Sequence, residues 1–327
     1  MRTVDRKIEF YKTRDFGEKF NDTFEFVKQN FKPLMRFALY VLLPISIITA
    51  FGLKGYLYYT SSIMSGISPE YLGDPFIYSA LSMTAGSMLG LVVASSMAYG
   101  LMREYEAGGR EHLAGLSFAA FRPTLLRFMG RTVVAVLVMY IAAMVAMAVV
   151  AVLGAVLSPT LIITIPFYVF CIVPLVLTHP VYVFEGGNVF SALAKAMRLG
   201  FKTWGGLFGI IFVVGFISGS LAGILTVPLY VLSFVKELLF SASEGNDFVL
   251  SAVYDMVTYL AGVLASFASL LSYVLLSVAL GYQYAHTVDK YEGVSVNKDI
   301  DRFDDLADTG KDDDDLFVRK EEDDTLI

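Results

Sequence analysis

A chain of 327 residues that is 56% hydrophobic, only 17% charged and has a mean hydropathy of +0.63 cannot cover itself with polar surface, which excludes an ordinary soluble domain. The formal charge of −6 is unevenly held: fifteen acidic residues face six basic ones from His286 to Ile327, while the remainder carries 19 basic against 16 acidic. One cysteine, Cys171, and three unrelated histidines exclude an internal disulfide and the CxxC or HExxH metal patterns, so no cofactor is expected, and no nucleic acid partner.

The first 36 residues contain nine Lys or Arg and no apolar core, so the first span itself is expected to target the chain. Within residues 1–36, read as a cytoplasmic amphipathic segment, the spacing predicts a helix from Asp15 to Lys32. Phe16, Phe20, Phe24, Val27, Phe31 and Leu34 recur every three or four residues on one face, and Glu18, Lys19, Asp22, Glu25 and Lys28 take the other. Asp15 with Glu18 has the form of a capping box. An aromatic face with a charged back, just before a span, is expected to lie in the headgroup layer.

Six apolar stretches of about 20 residues or more follow, which predicts six transmembrane helices in a membrane domain over 37–285. They run at about 37–59, 76–102, 132–157, 161–184, 207–232 and 256–285. The uncharged run from Thr132 to Phe184 is too long for one span and is divided at Ser158-Pro159-Thr160. The fourth span is proline-broken, at Pro166, Pro174 and Pro180. Two small-residue ladders predict close helix packing: Ser82, Gly86, Gly90, Ala94 and Ala98 in the second span, and Gly215, Gly219 and Gly223 in the fifth. Packing of these two spans within one chain is the expectation.

Lys and Arg concentrate before the first span, in 103–131 (Arg103, Arg110, Arg122, Arg127, Arg131) and in 185–204 (Lys195, Arg198, Lys202). The alternate connections are nearly bare of them, which predicts both termini on the cytoplasmic side. Phe31-Lys32-Pro33, Phe121-Arg122-Pro123 and Phe201-Lys202-Thr203 precede the odd-numbered spans, an echo that fits three repeated units or convergence on basic, aromatic span starts. Residues 286–327, acidic and poor in aromatics, are expected to be disordered. Their aspartates miss the calcium-loop pattern, because Phe303 and Asp304 hold its fifth and sixth places.

No stretch names a reaction. His179, in LTHPVYVFEGG, reads either as a neutral imidazole bonded to a carbonyl freed by Pro180 or as a ligand contact. Glu185 is expected to cap the helix over 188–202 or to pair with an arginine of 103–131. In that helix Lys195, Arg198 and Lys202 stand opposite Phe190, Leu193, Met197, Phe201 and Trp204, a stripe suited to anionic headgroups at about 1 kcal/mol per cation. The span centres lack the paired acids, nucleophile–base pairs or metal ligands that intramembrane catalysis needs.

FGEKFNDTFEFVKQNFKPLMRF and PLVLTHPVYVFEGGNVFSALAKAMRLGFKTWGGLFGIIFV resemble the membrane domain of bacterial glycerophosphodiester phosphodiesterases and its stand-alone multi-span relatives. Pro180, Glu185, Gly186, Ala192, Leu193, Leu199 and Trp204 occupy the places of that family's span, Pro-rich segment, Glu-Gly and amphipathic helix; Ala196-Met197-Arg198-Leu199 departs from its usual serine. The resemblance covers about a third of the chain. It implies a membrane module and imports no catalysis, since no phosphodiesterase domain is expected after the sixth span. The sequence thus predicts an all-α, six-span protein of the bacterial cytoplasmic (inner) membrane with interfacial helices over 16–32, 113–121 and 188–202. Its expected role is that of a non-catalytic scaffold or accessory subunit touching anionic lipid and, through the acidic tail, a protein partner. The rival reading is a lipid or lipophile transporter built on the kinked fourth span around His179 and Glu185.

Overall fold

The computed structural model describes residues 7–64, 73–156, 161–241, 248–297 and 300. Beyond a non-helical stretch over 7–15, the regular structure among them is helical: α1 (Phe16–Gln29), α2 (Phe31–Met64), α3 (Gly73–Gly115), α4 (Phe118–Val156), α5 (Leu161–Leu175), α6 (Thr178–Glu185), α7 (Val189–Lys202), α8 (Trp204–Ser241) and α9 (Phe248–Glu292). Six segments are long and apolar enough to cross a membrane: α2, α3, α4, the α5–α6 pair, α8 and α9. The chain has the architecture of a multi-pass membrane protein. Lipid offers no partner to a bare peptide group, so an apolar stretch of this length must satisfy its backbone as helix.

The helices outrun the apolar stretches that announce them. Residues 103–131, read as a loop, are the end of α3 and the start of α4, parted at Leu116-Ser117 and bent at Gly109 (φ 74). The stretch 113–121, expected to be one surface helix, straddles that break. Residues 286–292, assigned to a disordered tail, are the last turns of α9, where His286, Thr287, Val288 and Asp289 are buried. The acidic stretch over 301–327 lies outside the described residues.

Three span starts share one local geometry. The carbonyls of Asn30, Ser117 and Thr203 accept from the amides of Leu34, Phe121 and Leu207 at 3.0, 3.0 and 2.9 Å, opening α2, α4 and α8. Asn30 and Ser117 are 87 residues apart, Ser117 and Thr203 86. The structural echo therefore aligns Phe31 with Phe118 and Trp204, a register shifted from the Phe-Lys/Arg echo in the sequence. These helices begin at one end of the bundle, the basic end.

α9 is the central post, touching α1, α2, α3, α6, α7 and α8, while α4 packs on α3, α5, α6 and α7. The core is densest towards the basic end, around Phe26, Phe37, Tyr99, Phe121, Tyr282 and Tyr284. The two small-residue ladders differ. A side chain on Gly86 would meet Thr49 of α2 at 2.5 Å, one on Gly90 would meet Leu270 of α9 at 2.7 Å, and Ala94 is fully buried. Gly52 and Gly55 of α2 press on Ser82, Met83 and Ser79, a contact the spacing did not reveal. Gly215, Gly219 and Gly223 have no described atom within 4 Å of where a Cβ would stand. The expectation that this ladder packs the fifth span within the chain is corrected: other faces of α8 hold it to α9, through buried Ile210, Val214 and Ser218.

Pro174 and Pro180 split the fourth span, and Val176 and Leu177 make three-residue turns back to Val173 and Pro174 between α5 and α6. Proline at 174 leaves the carbonyl of Phe170 without its helical donor, and the indole N–H of Trp204 takes that place at 2.9 Å. This cross-helix bond fixes α5 against the start of α8. Trp204→Phe keeps the ring stack on Phe208 but loses the donor, and is expected to cost about 1 kcal/mol in detergent unfolding.

Candidate functional site

Ionisable side chains gather at the basic end, where α6, α7, the last turns of α9 and the N-terminal residues meet. α6 ends at Glu185, and Gly186 and Gly187 (φ 75 and 77) turn the chain into α7. Arg131 closes the helix by donating from Nη1 to the carbonyl of Val183 at 2.9 Å. Its guanidinium fills the space a side chain at Gly186 would need. α7 is capped by Asn188, whose side-chain oxygen accepts from the Phe190 amide at 2.9 Å.

Glu185 therefore caps nothing and meets no arginine of 103–131, contrary to both readings from sequence. It accepts from Lys195 Nζ at 2.8 Å and from the Tyr284 hydroxyl at 2.9 Å. Lys195 also reaches Glu292 at 2.6 Å, and Arg198 lies 3.5 Å from the same carboxylate. Lys202 sits over the ring of Tyr291 at 5.0 Å. The stripe read as facing lipid thus spends Lys195 on α6 and α9, and leaves Arg198, 64% exposed, and Lys202 open to the surroundings.

Burial acts to lower the Lys195 ammonium, but the hydrogen bonds and charges of Glu185 and Glu292 outweigh it and hold the group above the ordinary lysine range. A base raised on folding stabilises the fold fully below its unfolded value, and loses that contribution as pH climbs through the raised one. Lys195→Met is expected to remove this alkaline step, seen by comparing unfolding midpoints of the two proteins from neutral to strongly alkaline pH.

His179 is buried in α6 and bonds through Nε2 to the Thr132 hydroxyl at 3.0 Å. Thr132 in turn meets Ser96 at 2.9 Å, and Ser96 donates to the carbonyl of Val92 at 2.6 Å. The partner is thus a hydroxyl of α4 rather than a proline-freed carbonyl. Between His179 and Glu185 the space is filled by rings: Tyr99 lies 4.9 Å from His179 and 5.2 Å from Phe184, which stacks on Tyr284 at 5.4 Å.

Sequence reasoning missed the larger assembly. Residues 7–14 cross the basic end as a non-helical strap bent at Phe10 and Tyr11, with Phe10 buried among Phe184, Tyr282 and Tyr284. The Arg14 side chain is fully buried: Nε pairs with Asp22 at 2.6 Å, the guanidinium lies 4.9 Å from the Tyr282 ring, and its other nitrogens bond the carbonyls of Glu9, Phe10 and Lys12. The Arg14 amide donates to His286 Nδ1 at 2.9 Å, and Thr13 donates to Asp289 at 3.2 Å. Lys19, placed by pattern on the charged outer face of α1, is buried and donates to Gln283 at 3.0 Å; burial, then the charge of Lys290, pushes its ammonium below the usual range. The face turned inward is Lys19, Thr23 and Phe26, and Phe16 is exposed. One signal was available: Val278, Tyr282, Ala285 and Val288, all buried, continue the spacing of three and four past residue 285.

A half-open cavity of about 460 Å³ lies beside the strap, lined by Lys7, Gln29, Tyr105, Arg110 and Glu111 among others. Among the described residues no group of three or more His, Cys, Asp or Glu gathers as metal ligands do. No family model, no curated protein and no solved structure matches this chain.

Proposed function

We propose that the protein is a non-catalytic scaffold or accessory subunit of a bacterial cytoplasmic membrane, with its basic end in the cytoplasm. The observation that carries this reading is the division of labour at that end. Glu185, Lys195 and Glu292 are paired with one another across α6, α7 and α9, while Phe16, Phe31, Phe118, Phe190 and Phe201 stay exposed beside exposed Lys32, Arg122 and Arg127. A surface of aromatic rings and cations on a braced support suits the anionic headgroup layer. The resemblance to the membrane domain of glycerophosphodiester phosphodiesterases fits the same role, a module that holds a partner at the bilayer. The acidic residues beyond 300 are the segment we assign to that partner. The rings that fill the space between His179 and Glu185 favour this reading over a cargo path through the fourth span.

Native mass spectrometry after gentle extraction tests both halves. The protein is expected to retain anionic in preference to zwitterionic phospholipid, a preference weakened when Lys32, Arg122 and Arg127 become serine. Deleting 301–327 is expected to release a co-purifying protein. Equal retention of both lipid classes, or a partner that stays after the deletion, would refute the corresponding half.

A further inference from the structure

The strap is held by hydrogen bonds to other elements rather than by secondary structure of its own. Lys7 donates to the carbonyl of Glu106 at 2.7 Å, the Ile8 amide to the Tyr105 hydroxyl at 3.1 Å, and Thr13 to Asp289. At its far end the Arg14 amide donates to His286 Nδ1. A peptide N–H can only donate, so Nδ1 must offer its lone pair and the imidazole proton must sit on Nε2. A second proton has only Nδ1 to occupy. It would replace the acceptor with a donor aimed at a donor, and bring a positive charge into a buried site. The charged groups facing that ring are Arg14 from the strap, Lys19 from α1, and Asp289 and Lys290 from α9 itself. Three are cations, and the one carboxylate is already bonded to Thr13 and to the Ser295 amide.

The strap also covers something. Phe10 sits 5.0 Å from Phe184, 6.2 Å from Tyr282 and 6.5 Å from Tyr284, as a plug in a cup of rings. Beneath it the Tyr284 hydroxyl holds Glu185, the carboxylate that ties α6 to α7. We propose that residues 7–14 are a proton-sensitive strap: protonation of His286 breaks its bond to the Arg14 amide, withdraws Phe10 from the ring cup and uncovers the α6–α9 seam at Glu185 and Tyr284. This inference does not depend on the scaffold reading, since it concerns the chain's own contacts.

Amide exchange of the full-length protein in lipid nanodiscs, corrected for intrinsic rates, tests it. Amides of 8–14 are expected to lose protection by about tenfold or more between about pH 7.5 and pH 5, the scale of one lost buried hydrogen bond. Amides of α9 over 262–280 serve as the reference and are expected to hold. Asp289 also takes up a proton in acid, so the variant His286→Asn separates the causes: its amide oxygen can accept in place of Nδ1 without titrating. It is expected to keep strap protection level across the range, whereas His286→Phe, with no acceptor, loses it at every pH. Wild-type strap amides that stay protected down to about pH 4.5, or a His286→Asn protein with the wild-type pH profile, would overturn the proposal.

Discussion

Gly52→Ala is expected to destabilise the protein by about 3 kcal/mol, and Gly219→Ala to leave it within about 0.5 kcal/mol of the parent. The two substitutions add the same methyl to apolar helices, so the contrast isolates packing. At Gly52 the new carbon would stand 2.5 Å from the backbone nitrogen of Met83 and 3.0 Å from its Cα, besides pressing on the Ser82 hydroxyl. Backbone cannot rotate aside as a side chain does, so α2 and α3 must part, and close approach is what holds helices together in lipid. At Gly219 no described atom lies within 4 Å. Equilibrium unfolding in mixed detergent micelles reads both values. Comparable losses at the two sites would mean that the open ladder on α8 is covered after all.

Arg14→Ala is expected to free the N-terminal strap, lowering amide protection over residues 8–14 by about a hundredfold while the midpoint of global unfolding moves little. The buried guanidinium pairs with Asp22 and bonds three carbonyls of the strap itself, so its removal leaves four acceptors without a donor in a place water reaches poorly. The strap docks on the surface of the bundle and supplies few rings to the main core, which confines the loss to a local opening. Arg14→Lys restores the charge without the fork of donors, and is expected to recover only part of the protection. A global midpoint that falls as far as the strap's own stability would show instead that the strap folds as one unit with the bundle.

The number and approximate places of the apolar helices were legible because hydrocarbon sets a length and a composition that the sequence must meet. Their ends were not. Beyond the bilayer a helix goes on wherever protein covers it, and α9 continues to Glu292 because the strap and α7 cover its last turns. Spacing showed which glycines share a face, but not what that face meets, so the ladders at Gly86 and Gly219 looked alike. Lys19 was read as outward-facing because charge usually is. It turns inward because Gln283, distant in sequence, gives it an acceptor. The Lys195 pairing was hidden for the same reason: Glu185 and Glu292 lie 10 and 97 residues away, and neither shares its helix.

The bond from Trp204 to Phe170 has a practical corollary. Trp204 is the sole tryptophan of the chain, and it sits where the proline-broken fourth span touches the start of the fifth. Ultraviolet emission excited at the red edge comes from this indole alone, so the protein carries a native optical probe of that seam. A red shift on adding lipid, partner or acid would register the separation of α5 from α8 without any label.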